Sequence, residues 1–187
     1  MKSKRSLVIS IILVVLISAL YRAMPNRPWG FAPQWAIAIF SGALFLRDKK
    51  MAFILPLISM FISDLIYQVL YKNGLTVIPG FYSGQWLNYL LFTAMAAYGF
   101  LFNTKKISGI LGASIAAPTT YFFISNFLVW ISGGGWHHPK TMSGLVQCFV
   151  DAVPFYTNSL ISSIIFSAIL FGAYTLVTNP SEKKQLS

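Results

Sequence analysis

The cations of this chain are sorted onto alternate sides of six apolar segments. One set of flanks holds Lys2, Lys4, Arg5, Arg47, Lys49, Lys50, Lys105, Lys106, Lys183 and Lys184, and the other holds Arg22, Arg27, Lys72 and Lys140. That is ten against four, which accounts for all 14 Lys and Arg. Short loops rich in Lys and Arg stay on the cytoplasmic side of a membrane. The expectation is a multi-pass protein of the bacterial cytoplasmic (inner) membrane with both termini cytoplasmic.

Composition agrees. Of 187 residues, 56% are hydrophobic and 10% charged, whereas a soluble domain carries about 25% charged residues. Apolar runs of roughly 17–25 residues cross a bilayer as helices. The reading is one all-α transmembrane domain over 1–187, with six helices at about 7–23, 34–46, 51–71, 85–102, 107–131 and 155–177. The net charge of +10 does not point to nucleic acid. Its cations sit in short clusters at helix ends, with no basic face interleaved with aromatics, and anionic lipid is the natural counter-charge. Cys148 is the one cysteine, so an intrachain disulfide and a Cys-rich metal site are excluded. Lys2-Ser3-Lys4-Arg5 before an apolar run imitates a signal peptide, but no small-x-small cleavage site follows. The first helix is expected to be retained.

The turns at Arg47–Lys50 and Lys105–Lys106 are tight. The three connections on the opposite side are long and rich in Gly, Pro and aromatics. Long irregular loops on a rigid scaffold usually carry function. Residues 141–153 form a further, amphipathic element in the last outer loop. Met142, Leu145, Val146, Phe149, Val150 and Val153 share one side, and Ser143, Gly144, Gln147, Cys148 and Asp151 share the other. Pro154 ends or kinks it. Helix five offers Gly109, Ala113 and Ala117 at close-packing spacing, and helix six offers Ser159, Ser163 and Ser167. These rows suit either the bundle interior or a docking face.

Asp64 is the acid out of place. It lies about 13 residues into the third helix, roughly 20 Å from the inner boundary, in the outer half of a core about 30 Å thick. Facing lipid there costs at least ~2.5 kcal/mol, so it should face the bundle and have a partner. Three roles stay open for it, a polar clamp between helices, a ligand contact, and proton or ion coupling. Gln68, Asn88, Asn126, Asp151 and Asn158 lie at a similar depth, and Trp86, Trp130, Trp136 and Tyr156 supply flat apolar surface. Together with loop residue His137 they form the candidate substrate-binding set. His137 and His138 point different ways as neighbours, so they are a poor metal pair. The chain has no His-Glu-x-x-His, Gly-x-Ser-x-Gly or phosphate-loop motif, and no catalytic residue, metal or cofactor is assigned.

Pro33 to Phe45 (PQWAIAIFSGALF), Ser63-Asp64-Leu65, Ser125 to Trp130 (SNFLVW) and Val153-Pro154-Phe155 through Asn158 resemble a family of uncharacterised bacterial six-helix membrane proteins. That family in turn is similar to the substrate-binding S-components of energy-coupling-factor (ECF) vitamin transporters. The resemblance implies a six-helix S-component bundle that captures a vitamin-like small molecule from outside. It also implies an ECF coupling protein and two ATPases as partners. One departure is that S-components dock through an Ala-x-x-x-Ala motif on the first helix. Here the nearest such pair is Ala113 and Ala117, on the fifth.

The functional expectation is therefore a membrane-embedded binding protein for uptake of a small organic solute, with an outward-facing pocket. Two other readings remain. One is an intramembrane enzyme or haem- or metal-associated protein using Asp64, Asp151 or the histidine pair. The other is a structural subunit of a larger membrane complex.

Overall fold

The computed structural model describes residues 14–22, 24 and 26–178. The cation clusters of the two termini, Glu182, positions 7–13 and 23 of the first helix and the tail lie outside the described residues. Every regular element described is helical. α1 covers residues 14–22, α2 Gln34–Leu44, α3 Lys49–Lys72, α4 Gln85–Ala94, α5 Tyr98–Leu101, α6 Ile107–Ser132 and α7 Met142–Thr178. Among the described residues, three helices are long and apolar enough to cross a membrane, namely α3, α6 and α7.

The sidedness of these helices is the reverse of a water-soluble bundle. Ile54, Leu57, Ile58, Phe61, Leu65 and Val69 make an outward stripe on α3. Leu111, Ile115, Phe123, Phe127 and Ile131 do so on α6, and Val146, Val150, Val153, Ile161, Ile165 and Ile169 on α7. The buried faces instead carry Ser59, Ser63 and Asp64 on α3, Ala113, Ser114 and Ala117 on α6, and Ser159, Ser163 and Ser167 on α7. Water would favour the opposite sorting. Lipid tails are as apolar as Leu, so helices in a bilayer associate through close packing of small residues and polar contacts. The alanine and serine rows of α6 and α7 are thus bundle interior, not a free docking face.

α2 sits at the centre, with residues 32–39 all buried. Its 11 residues are too few to cross a bilayer core of about 30 Å at 1.5 Å per residue. It packs against α3, α5, α6 and α7. At Gly42 an added Cβ would come within 2.0 Å of Ala96 O, and at Gly99 within 2.2 Å of Ile39 O. The two backbones touch there, which only glycine allows. The helix expected over 85–102 is interrupted at this crossing, where Met95–Ala97 forms a 3-10 turn between α4 and α5. Asp48 caps α3 by accepting from Met51 N at 3.3 Å.

The amphipathic element and the sixth helix are one. α7 runs 37 residues without a break at Pro154, roughly 55 Å at 1.5 Å per residue. Neighbouring groups in a membrane protein can satisfy the backbone that proline frees. In the first third of α7, Met142, Val146, Val150 and Val153 of the apolar side are exposed, while Phe149 packs on Phe122 and Phe123. Gly144 and Cys148 on the polar side are buried against the bundle.

Candidate functional site

The residues that the sequence places at one level form three separate groups. The first surrounds Asp64, which is 2% exposed. Arg22, from the end of α1, donates to Asp64 Oδ1 and to Ser63 Oγ. Gln85 Nε2 and the Tyr89 hydroxyl, both on α4, each donate to Asp64 Oδ2 at 2.6 Å. Tyr67 donates its hydroxyl to Arg22 O at 2.6 Å, and its ring lies under the guanidinium. The loop before α4 closes the group. Gln85 Nε2 also donates to Gly80 O at 3.0 Å, and Gln68 Oε1 accepts from Gly80 N at 3.1 Å and from Phe81 N at 3.3 Å. Both carboxylate oxygens of Asp64 are engaged within the protein. These contacts tie α1, α3, α4 and the 73–84 loop together, the arrangement of a clamp. Sequence reasoning missed Gln85 and Tyr89 as its partners. Both sit on the face of α4 that opens toward α3, four residues apart, and that spacing was the available signal.

The second group holds the loop between α6 and α7. His138 Nε2 lies 3.3 Å from Asp151 Oδ2, and Gln147 Nε2 donates to Asp151 Oδ1 at 2.7 Å. Trp130 Nε1 donates to Pro139 O at 2.9 Å, with Lys140 over its ring. His137 has φ 57° and sets Nδ1 2.7 Å from Gly133 O. These contacts fasten the 133–141 loop to α6 and α7. Among the described residues, no three His, Cys, Asp or Glu side chains come together to hold a metal ion. Trp86 and Trp136 are 68% and 67% exposed and stand apart from the cavity described next.

The third group is a cavity of about 190 Å³ between the start of α2 and the stretches of α6 and α7 around Tyr121 and Tyr156. Its walls are aromatic, formed by Trp35, Tyr121, Phe122, Phe155 and Tyr156. Phe122 and Tyr156 lie 4.7 Å apart at 34°, and Trp35 meets Tyr121 edge-on at 5.0 Å. The Tyr156 hydroxyl is paired with Thr119 Oγ1 at 2.8 Å, and that of Tyr121 with Asn88 Oδ1. Asn88 also donates to the Tyr82 hydroxyl at 2.6 Å, outside the cavity. Asn126 lines the cavity and donates one amide hydrogen to Phe122 O at 2.7 Å. Among the described residues its carbonyl oxygen and second amide hydrogen have no further side-chain hydrogen bond. Of the sequence-derived set, only Asn126 and Tyr156 line this space.

The loop before α2 is fastened beside it. Asn158 Nδ2 donates to Trp29 O at 2.9 Å, and Ser159 Oγ, which lines the cavity, donates to Gly30 O at 3.1 Å. Gly30 has φ +82°, and an added Cβ would meet Phe155 O at 2.5 Å. The loop backbone thus lies directly on the α7 turn that forms the wall.

The chain belongs to a family described as "Family of unknown function (DUF6580)", which matches residues 2–185. No curated protein and no solved structure matches it.

Proposed function

We propose that this member of the family is a membrane-embedded binding protein for uptake of a small organic solute, in the manner of an S-component. Six spans with both termini cytoplasmic fit the alternation of basic and cation-poor flanks. The solute is vitamin-like, in the sense of one flat ring with polar substituents, and enters from the side of the long loops. A coupling protein and two ATPases are the partners this reading implies.

The observation that carries it is the aromatic cavity with one open amide at Asn126. Flat apolar walls with a few directed polar groups are the usual make-up of small-molecule sites. At about 190 Å³ the space is below the ~300–1,000 Å³ of sites for drug-sized ligands and near the ~150 Å³ that accepts benzene. A single-ring solute fits it as it stands. A two-ring solute requires the 24–33 loop to lift from Asn158 and Ser159. Its lining carries an amide and hydroxyls but no carboxylate, imidazole or thiol, which favours capture over catalysis.

Native mass spectrometry of the protein purified in mild detergent tests this. A retained small molecule that is lost on Asn126→Leu supports the reading. An empty protein whose thermal unfolding does not respond to single-ring vitamins and their precursors counts against it.

A further inference from the structure

A second cavity lies at the other, cation-rich end, between α6, α7 and the end of α2. It is about 850 Å³ against 190 Å³ for the outer one. Its walls are apolar, with Phe40, Ile110, Ile164 and Phe171 among them, while Thr104 and Lys105 stand at its rim. It is also long. The α6 wall runs from Ile107 to Ser114 and the α7 wall from Ile164 to Thr178, about 10 and 20 Å at 1.5 Å per residue.

We propose that this cleft is a binding site for one acyl chain of an anionic phospholipid, whose phosphate rests at Lys105. Shape argues for a chain, because a groove this long and apolar offers a ring-bearing solute no fixed position. Charge argues for an anionic head. Lys105 and Lys106 share this end with Arg47, Lys49 and Lys50, and basic pockets between helices attract phosphorylated headgroups. Gly172 supports the same occupant. It lies inside α7, where glycine weakens a helix relative to alanine, and it lines the cleft. A Cβ built there would meet nothing within 4 Å. The protein leaves open at this position a space that any side chain would narrow.

One polar atom lies at depth. Ser114 Oγ is buried without a hydrogen-bond partner among the described residues, and Ser114 lines the cleft. A polar solute would use this hydroxyl, and a hydrocarbon chain would not.

The full-length protein is placed in nanodiscs of phosphatidylcholine and phosphatidylglycerol, extracted, and weighed with its retained lipid. Wild type is expected to keep one phosphatidylglycerol in preference to phosphatidylcholine. Gly172→Trp should lose that lipid, and Lys105→Gln should lower the preference about fivefold. Ser114→Ala should change nothing. Lys105 is exposed, so its variant reports on the site without a folding defect, and thermal unfolding checks the tryptophan variant. Equal retention in wild type, Gly172→Trp and Lys105→Gln would overturn the proposal, as would loss on Ser114→Ala alone. A photo-crosslinker at position 172 that captures residues 7–13 or a second copy, and no lipid, would overturn it too.

Discussion

Arg22 at the end of α1 donates to Asp64 on α3, across 42 positions of sequence. Asp64 is buried and its other oxygen is held by Gln85 and Tyr89. Removing one member of a buried, hydrogen-bonded pair leaves a charge without compensation, which costs about 3–5 kcal/mol. Asp64→Ala is therefore expected to lower the thermal unfolding midpoint sharply. Arg22→Leu in the same background should recover part of the loss. An Asp64→Ala protein as stable as wild type would remove the clamp from this account.

Asn126 and Asp64 separate folding from binding. Asn126→Leu should keep the wild-type unfolding midpoint within a few degrees and weaken capture of the solute about tenfold, the worth of one well-placed hydrogen bond in a dry site. Asp64→Asn should do the reverse, with altered stability and near-normal affinity in the folded fraction. Isothermal titration on both variants decides it, and a larger affinity loss at Asp64 than at Asn126 would move the site.

Gly80 is packed against α3. A Cβ there would fall 2.0 Å from Asp64 O and 2.5 Å from Gln68 N, both backbone atoms. Gly80→Ala must push the loop off α3 and with it the carbonyl that Gln85 uses. A loss of about 1–3 kcal/mol follows, the usual cost of overpacking. Gly134→Ala serves as the control, since a Cβ there would meet only ordinary contacts, the nearest at 3.5 Å. Chemical unfolding of both variants gives the comparison.

The six-span arrangement is open to labelling. In a Cys148→Ser background, a cysteine at Lys106 should react with a membrane-impermeant maleimide only after the cells are opened. One at Trp136 should react in intact cells. Labelling of both positions from one side would refute the arrangement.

Much of the helical pattern was legible in the chain. The turns at Arg47–Lys50 and Lys105–Lys106 announce themselves by charge. Five of the six expected helices begin or end within a few residues of α2, α3, α4, α6 and α7. Helical periodicity also found the two faces of 142–153, but not their direction. Which face is buried depends on the medium around the bundle, and α7 turns its valines outward. Proline suggested an end or a kink at 154 because a lone helix would lose a hydrogen bond there, and α7 does not end at that point.

What the sequence by itself determined are local properties: apolar length, helical period, loop chemistry and the alternation of charge. These depend on neighbours in the chain. Only the tertiary structure decided that Asp64 meets Arg22, Gln85 and Tyr89, that Asn126 and Tyr156 line a cavity while Trp86 and Trp136 do not, and that α2 is the central helix. Such pairings depend on where helices cross, and the crossings are set by close contacts such as Gly42 to Ala96 and Gly99 to Ile39. Residues more than 50 positions apart meet there, beyond the reach of any local pattern.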